Sequence, residues 1–252
     1  MAKRRRTAGR AGKNNEAELA RAVQQSLLAV PRAQGPTFEL VARFAPAEEV
    51  AGDFYDLFLF GPELLGFYLG DVQGKGLAAA MYAALVSGIM RGLQKGGSGP
   101  GRVLDFLNHR LCLRPIPGKF CALGYAALDL RERKLTYANA GLPYPLLSRG
   151  GVVTRIELDG LPIGLFDGVS YSQHEVQLQA GDVVLFFTDG LTDSLENRRV
   201  RDGEAVVRRV LESRRAGSAE GLADRLLEQL PRARNRRSAQ ADDASFLVLR
   251  IL

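Results

Sequence analysis

Aspartate stands at the edge of an apolar, strand-like run at four places in this sequence: Asp53 in "AGDFYD", Asp71 in "LGDVQGKG", Asp189 in "FFTDGLTD", and Asp242 with Asp243 in "AQADDASFLVL". The first two bracket residues 52–71, "GDFYDLFLFGPELLGFYLGD", which reads as two strands around a Gly-Pro turn. A turn centred near Gly61 and Pro62 sets Asp53 opposite Asp71, where Cβ atoms lie roughly 4.5–5.5 Å apart and like charges repel. Asp189 closes one apolar run and Asp242 opens another, so antiparallel pairing of those strands brings the second pair together. Carboxylates gathered in one cleft, with few histidines and no cysteines, select a hard, octahedral, oxygen-loving cation, Mg²⁺ or Mn²⁺ over Zn²⁺. Two such ions, about 3.5–4 Å apart, would offset the repulsion, activate a shared water and stabilise an in-line displacement at phosphorus.

Taken singly, each motif is also ordinary punctuation, because Asp beside Gly favours turns. Asp182 keeps that reading, since it precedes its strand in a plain turn. The ensemble is another matter. After Asp71 the chain continues "DVQGKGLAAA", where two glycines between a strand end and a helix start let backbone carbonyls approach an ion or its waters. No Ser or Cys nucleophile motif competes. His109, in a helix that reads as partly buried, and His174, on a strand beside Glu175, are read as structural.

The elements that must carry these residues follow from periodicity. A helix over 14–31 is capped by Asn14 or Asn15, holds Glu16 and Glu18 in its first turn, repeats Leu19, Val23, Leu27 and Val30 at helical spacing, and ends at Pro31. Its apolar stripe packs either on the rest of its own chain or on a second copy in a homodimer. Strands are predicted at 38–44, 53–60, 64–72, 120–130, 134–140, 151–158, 171–178, 183–190 and 244–252. Helices are predicted at 75–93 and 103–114, separated by the flexible "QKGGSGPG", and near 203–215 and 218–230. Strand blocks alternating with helix pairs predict an α+β fold of antiparallel sheets with helices on their outer faces, not a regular βαβ array. There is no internal repeat.

At 252 residues and 46% hydrophobic, the chain can bury a full core as one domain over 32–252. The formal charge of +6 comes from residues 1–13, whose six Lys/Arg and no acid leave 28 residues of each sign in 14–252. That block reads as a solvated, disordered arm, and without a recognition helix or zinc finger it argues against nucleic acid as the partner. No apolar segment follows it, as a secretory signal would require. The longest uncharged apolar stretch, "GLAAAMYAALVSGIM", is fifteen residues, which is short for a bilayer and points to a soluble protein with no membrane partner. Cys112 and Cys121, without a CxxC or a nearby His pair, suit a reducing cytosol.

"EVAGDFYDLF", "LGDVQGKGLAAAMYAAL", "TYANAGLPYPLL", "LPIGLF", "AGDVVLFFTDGLTDSLEN" and "DDASFLVLRI" resemble, in order and spacing, the bacterial metal-dependent (PPM-type) serine/threonine protein phosphatases of the stage II sporulation protein E type. The resemblance covers about residues 38 to 252. It implies an α-β-β-α sandwich with a dinuclear Mn²⁺/Mg²⁺ site in the cleft at one end of the sheets. Carried over by position, Asp53 serves the second metal, Asp71 bridges both, the Val72 carbonyl adds a ligand, and Asp189 and Asp242 hold the first metal. It also implies a substrate, a small phosphorylated anti-sigma-factor antagonist, and an output in sigma-factor regulation. The rival reading is a phosphatase-like module that binds a regulator without hydrolysing it.

Three positions depart from the pattern: Ala51 stands where Gly is usual, Lys75 where many relatives have His, and Gln73 where wider relatives place a candidate general acid. Gln cannot donate a proton in that sense. "NAGLPYPLL" is expected to pack beneath the site. Arg232, Arg234, Arg236 and Arg237, with Arg198, Arg199 and Arg201, read as solvated loops, or as a basic rim for a phosphoprotein.

Overall fold

Among the described residues, eleven strands form two sheets. The first runs in spatial order β1 (Arg32–Gly35), β2 (Phe38–Ala45), β11 (Ala244–Ile251), β10 (Val183–Phe187), β7 (Leu146–Arg149) and β8 (Val152–Arg155). The second runs β3 (Phe54–Phe60), β4 (Leu64–Val72), β5 (Cys121–Asp129), β6 (Lys134–Ala140) and β9 (His174–Gln177). Every neighbouring pair is antiparallel. The computed structural model describes residues 16, 18–28, 30–93, 98–196, 201–213, 217–231 and 242–252. The basic arm, the Asn14 and Asn15 caps, Arg198, Arg199 and the 232–237 arginines lie outside the described residues.

The central strands are apolar without interruption because both of their faces are covered. Side chains alternate along a strand. On β10, Val184 and Phe186 point between the sheets, while Val183, Leu185 and Phe187 meet the helices beyond. On β11, Leu247, Leu249 and Ile251 take the inner side and Phe246 and Val248 the outer. On β4, Leu65, Phe67 and Leu69 face inward, and Tyr68 and Val72 pack outward under α2 (Gly76–Leu93) and α3 (Pro100–Cys112). The other sheet is covered by α4 (Asp189–Leu195), α5 (Gly203–Glu212) and α6 (Ala219–Gln229). Helix, sheet, sheet, helix is the layer order expected from the sequence. Phe186 joins the sheets at the centre, edge-on to Phe67 at 5.1 Å and to Tyr137 at 5.4 Å between ring centroids.

Two expectations need correction. The first helix, α1, is helical at 18–27 and gives way to β1, a short edge strand that pairs with β2 and lacks any strong period of its own. Of its stripe, Leu19 and Val23 are each 60% exposed and Val30 is 74% exposed, while Leu27 is half-buried, so most of the stripe is not covered by its own chain. Leu28, off that stripe, supplies the contact instead. Second, α2 is 18 residues long and, by length and composition, apolar enough to cross a membrane. Its Ala79, Ala83, Val86 and Met90 are nevertheless buried against the second sheet and α3. Both cysteines are free thiols.

Phe186→Ala should cost about 3–5 kcal/mol, because it empties the space between the sheets. Val23→Glu should change stability by less than about 0.5 kcal/mol. Urea unfolding of the two variants checks both.

Candidate metal centre

Four loops meet at one end of the two sheets. The first, residues 46–53, carries the chain from β2 in one sheet to β3 in the other. The second, residues 73–75, leads from β4 into α2. The third is Thr188, between β10 and α4, and the fourth is the start of β11 at Asp242 and Asp243. The register Phe54↔Gly70 through Phe60↔Leu64 continues to Asp53 opposite Asp71, as the turn position predicts, with Asp53 one residue outside the strand. The register Phe187↔Phe246 continues to Asp189 opposite Ala244, two residues from Asp242. Like-charge repulsion among Asp53, Asp71, Asp189, Asp242 and Asp243 links all five in one cluster.

Asp53 is 1% exposed, and burial first, then the charges of Asp71 and Asp243, drive its pKa well above the usual carboxylate range. The Thr188 hydroxyl donates to Asp53 Oδ2 at 3.0 Å and offsets part of that cost. Asp71 is pushed up to about 7, chiefly by burial and then by the charges of Asp189 and Asp242, while a hydrogen bond from Asp53 works the other way. Burial and mutual repulsion thus favour the protonated forms of Asp53 and Asp71. Asp189, exposed at the first turn of α4, is raised by burial of its carboxylate and by Asp242.

Asp243 was visible in the sequence only as the neighbour of Asp242, and its role is different. It is 7% exposed and straps the 46–53 crossover: Ala47 N–H donates to Oδ1 and Gly52 N–H to Oδ2, each at 2.8 Å. Gln24 of α1 holds the same loop one residue earlier, donating to the Ala51 carbonyl at 2.6 Å and accepting from the Ala51 N–H at 3.0 Å. Thr188 is a helix N-cap by position, yet it makes no capping bond. Its hydroxyl accepts from Ser245 N–H at 3.1 Å and donates to Asp53. A cap residue before a Gly-containing turn was legible in the sequence; its diversion to a carboxylate on the other sheet was not. α4 docks directly on the Asp242–Asp243 backbone, since a Cβ on Gly190 would lie 1.8 Å from the Asp243 carbonyl oxygen.

The donors suit a hard divalent ion. They are oxygens only, they repel unless protonated or neutralised, and the Val72 carbonyl lies beside Gly52, 2.9 Å from where a Cβ on that glycine would be. Among the described residues, no three acidic, His or Cys side chains close into a finished cage, so the set is open and spread over four loops. Gln73 is exposed, and Asp182 sits apart in its turn, paired with Arg149 at 2.6 Å. "NAGLPYPLL" forms a turn locked by Asn139, whose side chain bonds Leu142 N–H and the Leu142 and Leu158 carbonyls.

The stage II sporulation protein E family model matches residues 61–252. The chain belongs to that family. It is 27% identical to phosphoserine phosphatase RsbU of Bacillus subtilis over 239 residues, 94% of this chain and 70% of RsbU. It is 28% identical to protein IcfG of Synechocystis over 207 residues, 71% of this chain and 33% of IcfG. Among solved structures, the SiaA-PP2C domain of Pseudomonas aeruginosa superposes with a TM-score of 0.78 at 19% identity, covering 96% of this chain and 98% of that domain. The PP2C phosphatase domain of B. subtilis SpoIIE, with a fragment of its regulatory domain, gives 0.74 at 22% identity, over 85% and 61% of the two chains. Its fold is that of those PP2C phosphatase domains, and RsbU and RsbP of B. subtilis, to which it is similar, are named phosphoserine phosphatases.

Because folding raises the Asp71 pKa from the ordinary carboxylate range to about 7, the folded state holds a proton that the unfolded chain releases. This contribution costs nothing below about pH 4, and stability in chelator falls as pH rises from there through 7. Asp71→Asn should flatten that slope and raise the melting temperature in EDTA at pH 8 by about 2 °C or more. Thermal melts from pH 5 to 8 test it.

Proposed function

We propose that this chain is a metal-dependent phosphoserine/phosphothreonine protein phosphatase whose substrate is a small phosphorylated protein, an anti-sigma-factor antagonist. The single observation that carries the reading is the cluster itself: Asp53 and Asp71 from one sheet beside Asp189 and Asp242 at the end of the other. In this reading Asp71 serves two ions, Asp53 and the Val72 carbonyl the second, and Asp189 and Asp242 the first. When bound, Mn²⁺ or Mg²⁺ supplies Lewis acidity that activates a water and offsets charge at phosphorus.

The chain's own residues do the rest. Asp243 and Gln24 fix the crossover so that Asp53 stays on Asp71. Thr188 orients Asp53 from the opposite sheet. Gln73 carries no transferable proton, so it has no part in leaving-group protonation.

The phosphoprotein substrate is supported by likeness to RsbU, named a phosphoserine phosphatase. The chain spans 33% of IcfG and 24% of B. subtilis stage II sporulation protein E, and the roles of those longer proteins are not carried over whole. Burial of the inner face of α2 in the core supports a soluble, cytoplasmic enzyme. The exposed Leu19 and Val23 favour a second copy of the chain as what covers α1.

Release of phosphate from a phosphoserine peptide, with Mn²⁺ or Mg²⁺ and with EDTA, tests the proposal. Turnover should require the ion, and Asp71→Asn should lower it about 100-fold or more while the protein stays folded. Near-normal turnover of that variant in Mn²⁺ would remove the two-ion assignment. Binding of a phosphoprotein without any hydrolysis would leave the non-catalytic module.

A further inference from the structure

Lys75 is the residue of the site that neither the family pattern nor the mechanism uses. It sits on the loop between β4 and α2, flanked by two glycines in the left-handed region, Gly74 at φ +92° and Gly76 at φ +72°. That loop is pinned from behind: Gln73 N–H donates to the Phe120 carbonyl at 3.0 Å, and Lys119 Nζ donates to the Gln73 carbonyl at 2.8 Å. Lys75 is therefore rooted in a fixed turn, and its side chain crosses from one sheet to the other. Its Nζ lies 3.4 Å from Asp242 Oδ1. Its positive charge also acts on the Asp189 and Asp243 carboxylates.

We propose that Lys75 is a tethered competitor for the divalent cation: its ammonium holds the Asp242 side of the carboxylate cluster, and an ion must displace it to bind there. The inference rests on the proposed function. An ammonium and a small divalent ion need the same oxygens, and the ion needs them at about 2.0–2.1 Å when it is Mg²⁺. The two cannot share Asp242. The pair is partly open to water, with side chains 35% and 45% exposed, so the ammonium is replaceable and its hold is modest. Lys75 thus raises the ion concentration needed for full occupancy, and a chain with an uncharged residue here binds the ion more tightly.

Calorimetric titration of the full chain, stripped with EDTA and dialysed, with Mn²⁺ alone tests this. Lys75→Met keeps the length of the side chain and removes the charge, and Lys75→Gln is a second uncharged variant. Both should bind Mn²⁺ about threefold to tenfold more tightly than the parent chain, and Lys75→Arg should match the parent. Raising salt should narrow the gap, because screening weakens the competing pair. Equal or weaker Mn²⁺ affinity in a cooperatively melting uncharged variant would overturn the proposal and leave the metal assignment standing. A parent chain that takes up neither Mn²⁺ nor Mg²⁺ would overturn both.

Discussion

The constraint on which this structure turns is repulsion. Asp53, almost fully buried, lies against Asp71, with Asp189, Asp242 and Asp243 close enough to raise their neighbours' pKa values. Chains bury charges of one sign together only where packing holds them and something offsets the charge. Here the offset comes from a threonine hydroxyl, a lysine ammonium and, in the proposed working state, divalent ions. Much of the architecture at this end of the sheets serves to hold the cluster in place against that repulsion.

The holding is done by connections between layers. The two sheets meet through an apolar interior that includes the Phe186, Phe67 and Tyr137 rings, and that interior fixes the distance between their ends. Across the ends runs the 46–53 crossover, strapped by Asp243 at the foot of β11, the neighbour of the strand it leaves, and by Gln24 from α1. Thr188 gives up its capping bond to reach Asp53. The Asp243 and Thr188 contacts tie the end of one sheet to the loop that feeds the other, so a shift between the sheets would move carboxylates relative to one another.

Against that background, the three departures from the family pattern become physical differences. Ala51 leaves no ligand altered, and its peptide is held at both ends by Gln24. Gln73 contributes its backbone to a pinned loop. Lys75 alone of the three brings a charge to the carboxylate cluster.

By itself the sequence determined antiparallel sheets with helices on their outer faces, the strand register on either side of Gly61 and Pro62, and the identity of the acidic edge residues. Those follow from local periods of two and 3.6 and from turn chemistry. It could not separate Asp242 from Asp243, since adjacent aspartates look alike until burial points one at backbone donors and leaves the other half-exposed. It gave α1 an apolar stripe but not its neighbour, because a helix pattern names a face and only the packing decides what covers it. Strand β1 and helix α4 were missed for the same reason: four edge residues and one short turn have too weak a local signal and exist because a neighbouring strand pairs with one and the Asp243 backbone receives the other. What only the tertiary structure decided, then, was which donors and charges converge on Asp53, since those partners come from positions up to 190 residues away in the chain.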